Sequence, residues 1–340
     1  MRIKDLKLNL NLNKILIITG VIALAFVVSF FIWWNKEIII DGSGPFSNES
    51  GPKSSIAGID CENAARRPIA VMLAGDSEAR PLSGLGQADM VFEMPVTPNG
   101  ITRFMAVFQC ENPKEIGSIR SAREDFIPLV AGLGAVFAHW GGEREALAKL
   151  DAKIVDNIDA MKYEGTVFYR KNSIPRPHNG FTNIDLLLDK ATLLGYDLKD
   201  TFLGYLHAKE SVKRNLSNTV DTIDISYQDQ YAVQWRYDEQ TNSYVRSRGG
   251  LPEKDVNSGD TVRAGAVVIM RTSSRVLNKD YISVNVVGEG EAAIYQNGVR
   301  ITGKWKKDPS QLSAKLYFYD DNNQEIKFIP GKIWIEITNF

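Results

Sequence analysis

The stretch Ala135-Val-Phe-Ala-His-Trp-Gly-Gly-Glu-Arg-Glu-Ala-Leu-Ala-Lys-Leu150 reads as an apolar strand to Trp140, a glycine turn, and a helix beginning near Glu143. In open α/β sheets ligands usually bind at such a strand-to-helix turn. Working outward, the strand-like runs are Ile69–Ala74, Met90–Met94, Ile101–Gln109 and Val167–Arg170. Helix-like runs cover Ala122–Leu133, Glu143–Leu150 and Ile184–Leu194. Their alternation predicts an α/β domain over residues 58–208.

Past about Val220 the pattern changes to strands alone. Ala232–Tyr237, Tyr244–Arg248, Ala266–Arg271, Ile282–Val287, Ile301–Lys306 and Ile333–Ile337 are short, β-branched or aromatic, and separated by turn clusters such as Asp320-Asp-Asn-Asn323. A β-rich domain over residues 219–340 is expected, joined by a linker at Lys209–Asn218, with no internal repeat. The fold class is therefore α+β or α/β, with an α/β domain first and an all-β domain second.

In front of both lies Ile15 to Trp34, a run without a charge that as a helix would span about 30 Å, the thickness of a bilayer's hydrocarbon core. Arg2, Lys4, Lys7 and Lys14 precede it, which by the positive-inside rule puts residues 1–14 in the cytoplasm and the bulk of the chain outside. Residues 15–34 are thus expected as a single-pass anchor whose partner is the bilayer. Residues 35–57, rich in Gly, Ser, Pro and Asn beyond Asp41, read as a flexible stalk. No cysteine follows the apolar run directly, which argues against a lipoprotein. Cys61 and Cys110 are the two cysteines of the chain, and outside the cytoplasm they form a disulfide candidate, with two reduced buried thiols as the alternative.

Forty basic and 41 acidic residues nearly cancel, so no bulk field favours nucleic acid, and none is expected as a partner. No zinc-site spacing, P-loop, G-x-S-x-G elbow or H-E-x-x-H occurs, and no cofactor is expected. Chemistry-bearing residues gather between Arg66 and Asn179. Ser121-Ala-Arg-Glu124, just before an apolar helical run, reads as a capping box flanked by Arg120 and Arg123, a candidate anion site for a carboxylate, phosphate or sugar acid. The competing reading pairs both arginines with acids such as Asp89 or Glu93. If Pro98-Asn-Gly100 forms a three-residue hairpin loop, Glu93 faces Met105 and shares a face with Arg103. That would suit Glu93 as a base or ligand contact, or equally as a sheet-surface ion pair. Asp89 and Glu93 lie about 13 Å apart along one strand, too far for a glycosidase carboxylate pair. His139 and His178 are further acid or base candidates, each with a structural alternative.

Arg80-Pro-Leu-Ser-Gly-Leu-Gly-Gln-Ala-Asp89, Gly100-Ile-Thr-Arg-Phe104, Ile116-Gly-Ser-Ile-Arg-Ser-Ala-Arg123, His139-Trp-Gly-Gly142 and Pro177-His-Asn179 together resemble the YerB-like family, a bacterial envelope family of unknown function. Val233-Gln-Trp-Arg-Tyr-Asp238, Gly303-Lys-Trp305 and Pro330-Gly-Lys-Ile-Trp-Ile-Glu336 carry the resemblance to the end of the chain. It implies an α/β domain followed by a β domain, outside the membrane, with no established reaction. Some members carry a lipid-attachment cysteine that this sequence lacks at the corresponding place.

Two functional readings follow. In one, Glu93, His139 and His178 as candidate catalytic groups, with Arg103, Arg120, Ser121, Arg123 and Asn179 as ligand contacts, line a cleft that binds and could cleave a cell-envelope saccharide or polymer. In the other the same residues form a polar network inside a non-catalytic binding or scaffold module. A solvent-open pocket supports the first, a fully paired buried network the second.

Overall fold

The computed structural model describes residues 51–209, 219–227 and 229–339. The expected anchor at 15–34, and all but the first residue of the expected linker, lie outside them. Among the described residues no helix is long and apolar enough to cross a membrane.

Ten strands build the main sheet: β1 (Ile69–Ala74), β2 (Met90–Pro95), β3 (Thr102–Phe108), β4 (Val136–His139), β5 (Asn157–Asp159), β6 (Ala266–Thr272), β7 (Gly288–Gln296), β8 (Val299–Lys307), β9 (Tyr317–Asp320) and β10 (Ile333–Asn339). Their order is β9-β8-β7-β6-β10-β2-β3-β1-β4-β5. An α/β part followed by a β-rich part is thus found in chain order, but β10 pairs in parallel with both β2 and β6, so strands from either side of the expected linker share one sheet. The expected boundary separates two segments of sequence rather than two cores. The strands β1, β2 and β3 are buried along their whole length, as their uninterrupted apolar runs require.

Each sheet face carries its own core. On one, Met72, Phe92, Met105 and Phe137 pack against helix α1 (Ile127–Leu133) through Ile127, Val130 and Leu133, and against helix α2 (Arg144–Asp151) through Ala146 and Leu150. Pro128 sits in the first turn of α1, where a missing N–H costs nothing, and Gly134 ends it in the left-handed region. On the other face, helix α3 (Ile184–Leu193) buries Ile184, Leu187 and Ala191, capped by the Asn183 side chain accepting from the Leu186 amide. Beside it a five-stranded sheet from residues 222–264 lays Trp235 and Tyr244 into the same core as Phe104 and Trp334.

Part of the expected stalk is folded. Residues 52–57 do not form a free stalk: Ile56 and Ala57 are fully buried, and the Ser54 hydroxyl accepts from both their amides while donating to Gln109. Close by, Cys61 and Cys110 form the disulfide, with Cα atoms 5.7 Å apart. The amides of Gln109 and Cys110 donate to the buried Asp89 carboxylate, which ties the end of β3 to the turn before β2.

At the other end of the molecule Asp125 fixes a small hairpin by accepting from the Val284 amide and the Ser283 hydroxyl. Burial pushes this carboxyl up to about 6, with Glu143 and Glu124 adding to the rise. An acid whose folded pKa is raised binds its proton more tightly when folded, so its contribution is fullest below the ordinary carboxylate range and is lost as pH climbs from about 4 to about 6. Compared with the parent, Asp125→Asn should have a flatter melting-temperature profile across that window. Parallel profiles for the two proteins would contradict this assignment.

Candidate functional site

Strands β1 and β4 run in parallel only from Ile69 and Val136 to Val71 and Ala138. Beyond that point they splay, and residues 118–122 wedge between them. The Arg120 amide donates to the Met72 carbonyl, the Trp140 amide donates to the Arg120 carbonyl, and the Ala122 amide donates to Gly141. This is the carboxyl end of a parallel strand pair, the crevice where open α/β sheets take their ligands. Backbone geometry therefore carries Arg120 and Arg123 to a position that the strand-turn-helix motif announced.

The side chains there form a cationic cluster. Arg103, on β3, is buried and donates through Nη1 to the Ser121 carbonyl at 3.4 Å. Arg120 Nη2 lies 3.5 Å from Asp76, which follows β1. The Arg123 guanidinium stands 4.9 Å from the Tyr281 ring centroid, and its Nε lies 3.9 Å from Glu143. Burial first, then the charges of Arg123 and Arg120, pull Arg103 down to about 9. Three guanidinium groups thus crowd around two carboxylates. The Nε atoms of all three arginines, one oxygen of Asp76 and the Ser118 hydroxyl are buried without a hydrogen-bond partner. His178 stands at the edge, its pKa lowered by burial and by Arg120, and its buried Nδ1 is likewise without a partner.

The expected capping box is not formed. Arg123 takes the N-cap position with no side-chain cap, and the Glu124 amide donates instead to Glu143, from the turn before α2, at 2.6 Å. Glu124 pairs outward with Lys149. A long-range carboxylate has displaced the local Ser121 hydroxyl, so Ser121 reaches the cluster through its carbonyl alone. Nor do the arginines pair with Asp89 or Glu93. Asp76 and Glu143 take those places.

Glu93 goes elsewhere because the hairpin register differs by one from that expected. The Thr97 carbonyl accepts from Gly100, and the Thr97 hydroxyl accepts from the Ile101 amide, so the loop has four residues and closes between Val96 and Ile101. Gly100, at φ +75°, supplies the left-handed turn residue. Glu93 therefore pairs with Phe104, and Arg103 with Met94, which puts Glu93 and Arg103 on opposite faces of the sheet.

On its own face Glu93 joins a fully enclosed ion network. It lies directly beside Glu336 on the neighbouring strand β10. Arg246, projecting from the small sheet, donates from Nε to Glu253 at 2.5 Å, from Nη1 to Glu336 and from Nη2 to Glu93. Arg248 also donates to Glu93 and, at 3.0 Å, to Thr102, whose hydroxyl in turn donates to Glu93 at 2.5 Å. Trp235 Nε1 and the Tyr227 hydroxyl complete the shell of Glu336. The Arg246 guanidinium sits 4.3 Å from the Trp334 ring centroid and 5.0 Å from that of Trp235. Burial opposes its charge, but Glu336 and Glu253 outweigh that and hold its pKa above the ordinary arginine value.

His139 is also enclosed. Its ring nitrogens face the Gly141 carbonyl at 2.8 Å and Asn157 at 3.3 Å, and the side chain is fully buried. It shapes the turn, together with Asp159, which accepts from the Gly141 amide. Asn179 accepts from Arg170 at 2.8 Å, and Arg170 stacks on Trp140 at 4.1 Å. Of the eight residues singled out, Arg103, Arg120, Ser121, Arg123 and His178 converge, whereas Glu93, His139 and Asn179 are engaged elsewhere.

With this geometry in view, residues 55–197 match the family described as protein of unknown function (DUF3048) N-terminal domain, and residues 223–335 match its C-terminal domain. A candidate lipoprotein of Bacillus subtilis (strain 168), YerB, is 30% identical over 292 residues, covering 84% of this chain and 86% of its own. The chain belongs to this family. A crystal structure of the YerB protein from Bacillus subtilis superposes with a TM-score of 0.75 at 28% identity, covering 84% of this chain and 96% of that one. The YerB-like fold, read from both segments together, is thus the frame that holds the arginine cluster.

Proposed function

We propose that this chain is a membrane-associated, extracytoplasmic protein whose arginine cluster binds an anionic group of a cell-envelope polymer. One observation carries the reading: Arg103, Arg120 and Arg123 converge at the carboxyl end of a splayed parallel strand pair, outnumber their carboxylates, and keep buried donors without partners. A phosphate or carboxylate would accept from those guanidinium groups bidentately and relieve their mutual repulsion. Location is supported by the uncharged run from Ile15 to Trp34 with its basic flank, by the disulfide, and by the candidate lipoprotein assignment of YerB. A residues 15–34 anchor would place the cluster on the outer side. No cleavage step is proposed, since Glu93 and His139 are enclosed by partners of their own.

The full chain in phosphatidylcholine nanodiscs, titrated calorimetrically with a glycerol phosphate oligomer and separately with a polyuronate, should bind at least one saturably, and more weakly as salt rises. Arg120→Ala should weaken that binding about tenfold or more, equivalent to roughly 1.4 kcal/mol. It removes one of three mutually repelling charges, so the melting temperature should hold or rise. Undiminished binding by the variant, or no binding to either polymer, would remove the basis of the assignment.

A further inference from the structure

Across the short turn Ser77–Ala79 from Asp76 lies a second cleft, of about 480 Å³, between that turn and residues 248–254. Its charged lining is Arg80, Arg248 and Lys254 against Glu253. Two of these groups are matched already. Arg248 is paired with Glu93 and, through Nε at 3.5 Å, with Glu253, which also accepts from Arg246. The other two are not. Arg80 donates to the Gly75 carbonyl at 2.9 Å and the Gln230 carbonyl at 3.1 Å, so its charge meets neutral oxygens, and its buried Nε has no hydrogen-bond partner. Lys254 is exposed, and among the described residues neither it nor Arg80 has a carboxylate at ion-pair distance.

The cleft and the arginine cluster share a floor. Gly75, which accepts from Arg80 Nη2, immediately precedes Asp76, whose carboxylate lies 3.5 Å from Arg120 Nη2. One peptide unit separates the two residues, so the Arg80 and Arg120 guanidinium groups stand on the order of 10 Å apart. An extended polyol or sugar chain covers such a distance in a few repeats. Glu78 is exposed on the turn between, where its charge is screened by salt, whereas Arg80 is half-buried and screened less.

We propose that this cleft is a second anion subsite, and that cleft and cluster together hold a polymer carrying a negative charge on every repeat. Arg80 and Lys254 would meet one anionic group while Arg103, Arg120 and Arg123, on whose anion binding this rests, meet another. Pro81, Leu251 and Pro252 supply apolar wall for the carbon skeleton beside the charge. Engaging the second subsite is then an intramolecular step, which favours a long chain over its own monomer without any stronger single contact.

The test uses the full chain in phosphatidylcholine nanodiscs, titrated calorimetrically with hexamers of glycerol phosphate and of galacturonate and with the monomer of each. For at least one chemistry the hexamer should bind about a hundredfold more tightly than its monomer, beyond what the number of charges alone gives. Lys254→Glu should remove about tenfold or more of that gain, and Lys254→Gln a smaller part, with monomer binding at the cluster unchanged. Arg120→Ala should weaken monomer and hexamer alike. Lys306→Glu, which reverses an exposed charge on β8 across the sheet, should leave both unchanged. A hexamer gain that survives Lys254→Glu in full, or that Lys306→Glu reduces as much, would overturn the proposal and leave anion binding at the cluster standing. Hexamer binding that Lys254→Glu weakens and Arg120→Ala does not would sink the reading of the cluster, and the bridging with it. Absence of binding by every probe would sink both.

Discussion

Glu93→Gln should lower the melting temperature by roughly 10 °C, from a loss of about 3–5 kcal/mol in a chain of this size. The side chain is wholly enclosed, and its carboxylate accepts from Arg246, Arg248 and Thr102. A glutamine keeps the shape but presents an amide N–H₂ to one of two guanidinium groups. It also leaves the cluster with one negative charge fewer, in surroundings that cannot solvate the excess. Glu336→Gln should act similarly, because Arg246 divides its three nitrogens among Glu93, Glu253 and Glu336. Thermal unfolding checks both. A change of less than about 2 °C in each would mean that the network is far more hydrated than its enclosure implies. Since Glu253 is held below the usual carboxylate range by Arg246 and Arg248 against the cost of burial, its stabilisation is present at neutral pH. That part should fade as pH falls through its depressed folded pKa.

Loss of the disulfide is the second large effect expected. Cys61 and Cys110 are 49 residues apart, and the loop between them contains β1, β2 and β3, the centre of the sheet. Closing a loop of that length restricts the unfolded chain by about 4 kcal/mol in the loop-entropy model. A Cys61→Ser, Cys110→Ser double variant should therefore melt roughly 10 °C below the oxidised parent. The parent under a reducing agent should fall to the same temperature. Equal melting temperatures with and without the bridge would show that the segment Ser54–Cys61 is held by its buried contacts alone, chiefly Ile56, Ala57 and the Ser54–Gln109 hydrogen bond.

Much of the fold is legible in the sequence where burial leaves a periodic trace. Ile69–Ala74 is a strand with the bounds its apolar run gives, and α3 ends within one residue of the expected place. Long-range pairing leaves no such trace. Nothing local in Ile333–Asn339 says that it will lie between β2 and β6, and so the union of both segments in one sheet escapes a reading that moves along the chain. The buried network was hidden for a different reason. Tyr244, Arg246 and Arg248 occupy the inward positions of an alternating strand, where charged residues are ordinarily read as facing water. Their alternation with Tyr244 was the available signal, and it becomes meaningful only when Glu93 and Glu336 are seen side by side across the core.

The candidate site was partly legible. Arg120 and Arg123 stand out because they flank a capping-box pattern just before an apolar helical run, and a cleft shared with Arg103 and His178 is the arrangement expected of them. Arg103 reaches Ser121 from the face opposite Glu93, because Thr97 closes a four-residue loop, and the helix start is capped by Glu143 rather than Ser121. The meeting of Asp76 with Arg120 leaves no local trace in the sequence, since it depends on how far β1 and β4 splay.

The central claim, that the arginine cluster is an anion site, is tested most directly by a crystal structure of the chain grown with a glycerol phosphate oligomer. Phosphate oxygens are expected within about 3.2 Å of guanidinium nitrogens on at least two of Arg103, Arg120 and Arg123. Well-defined phosphate bound elsewhere, with Arg120 still facing Asp76 and Arg123 still facing Glu143, would contradict it.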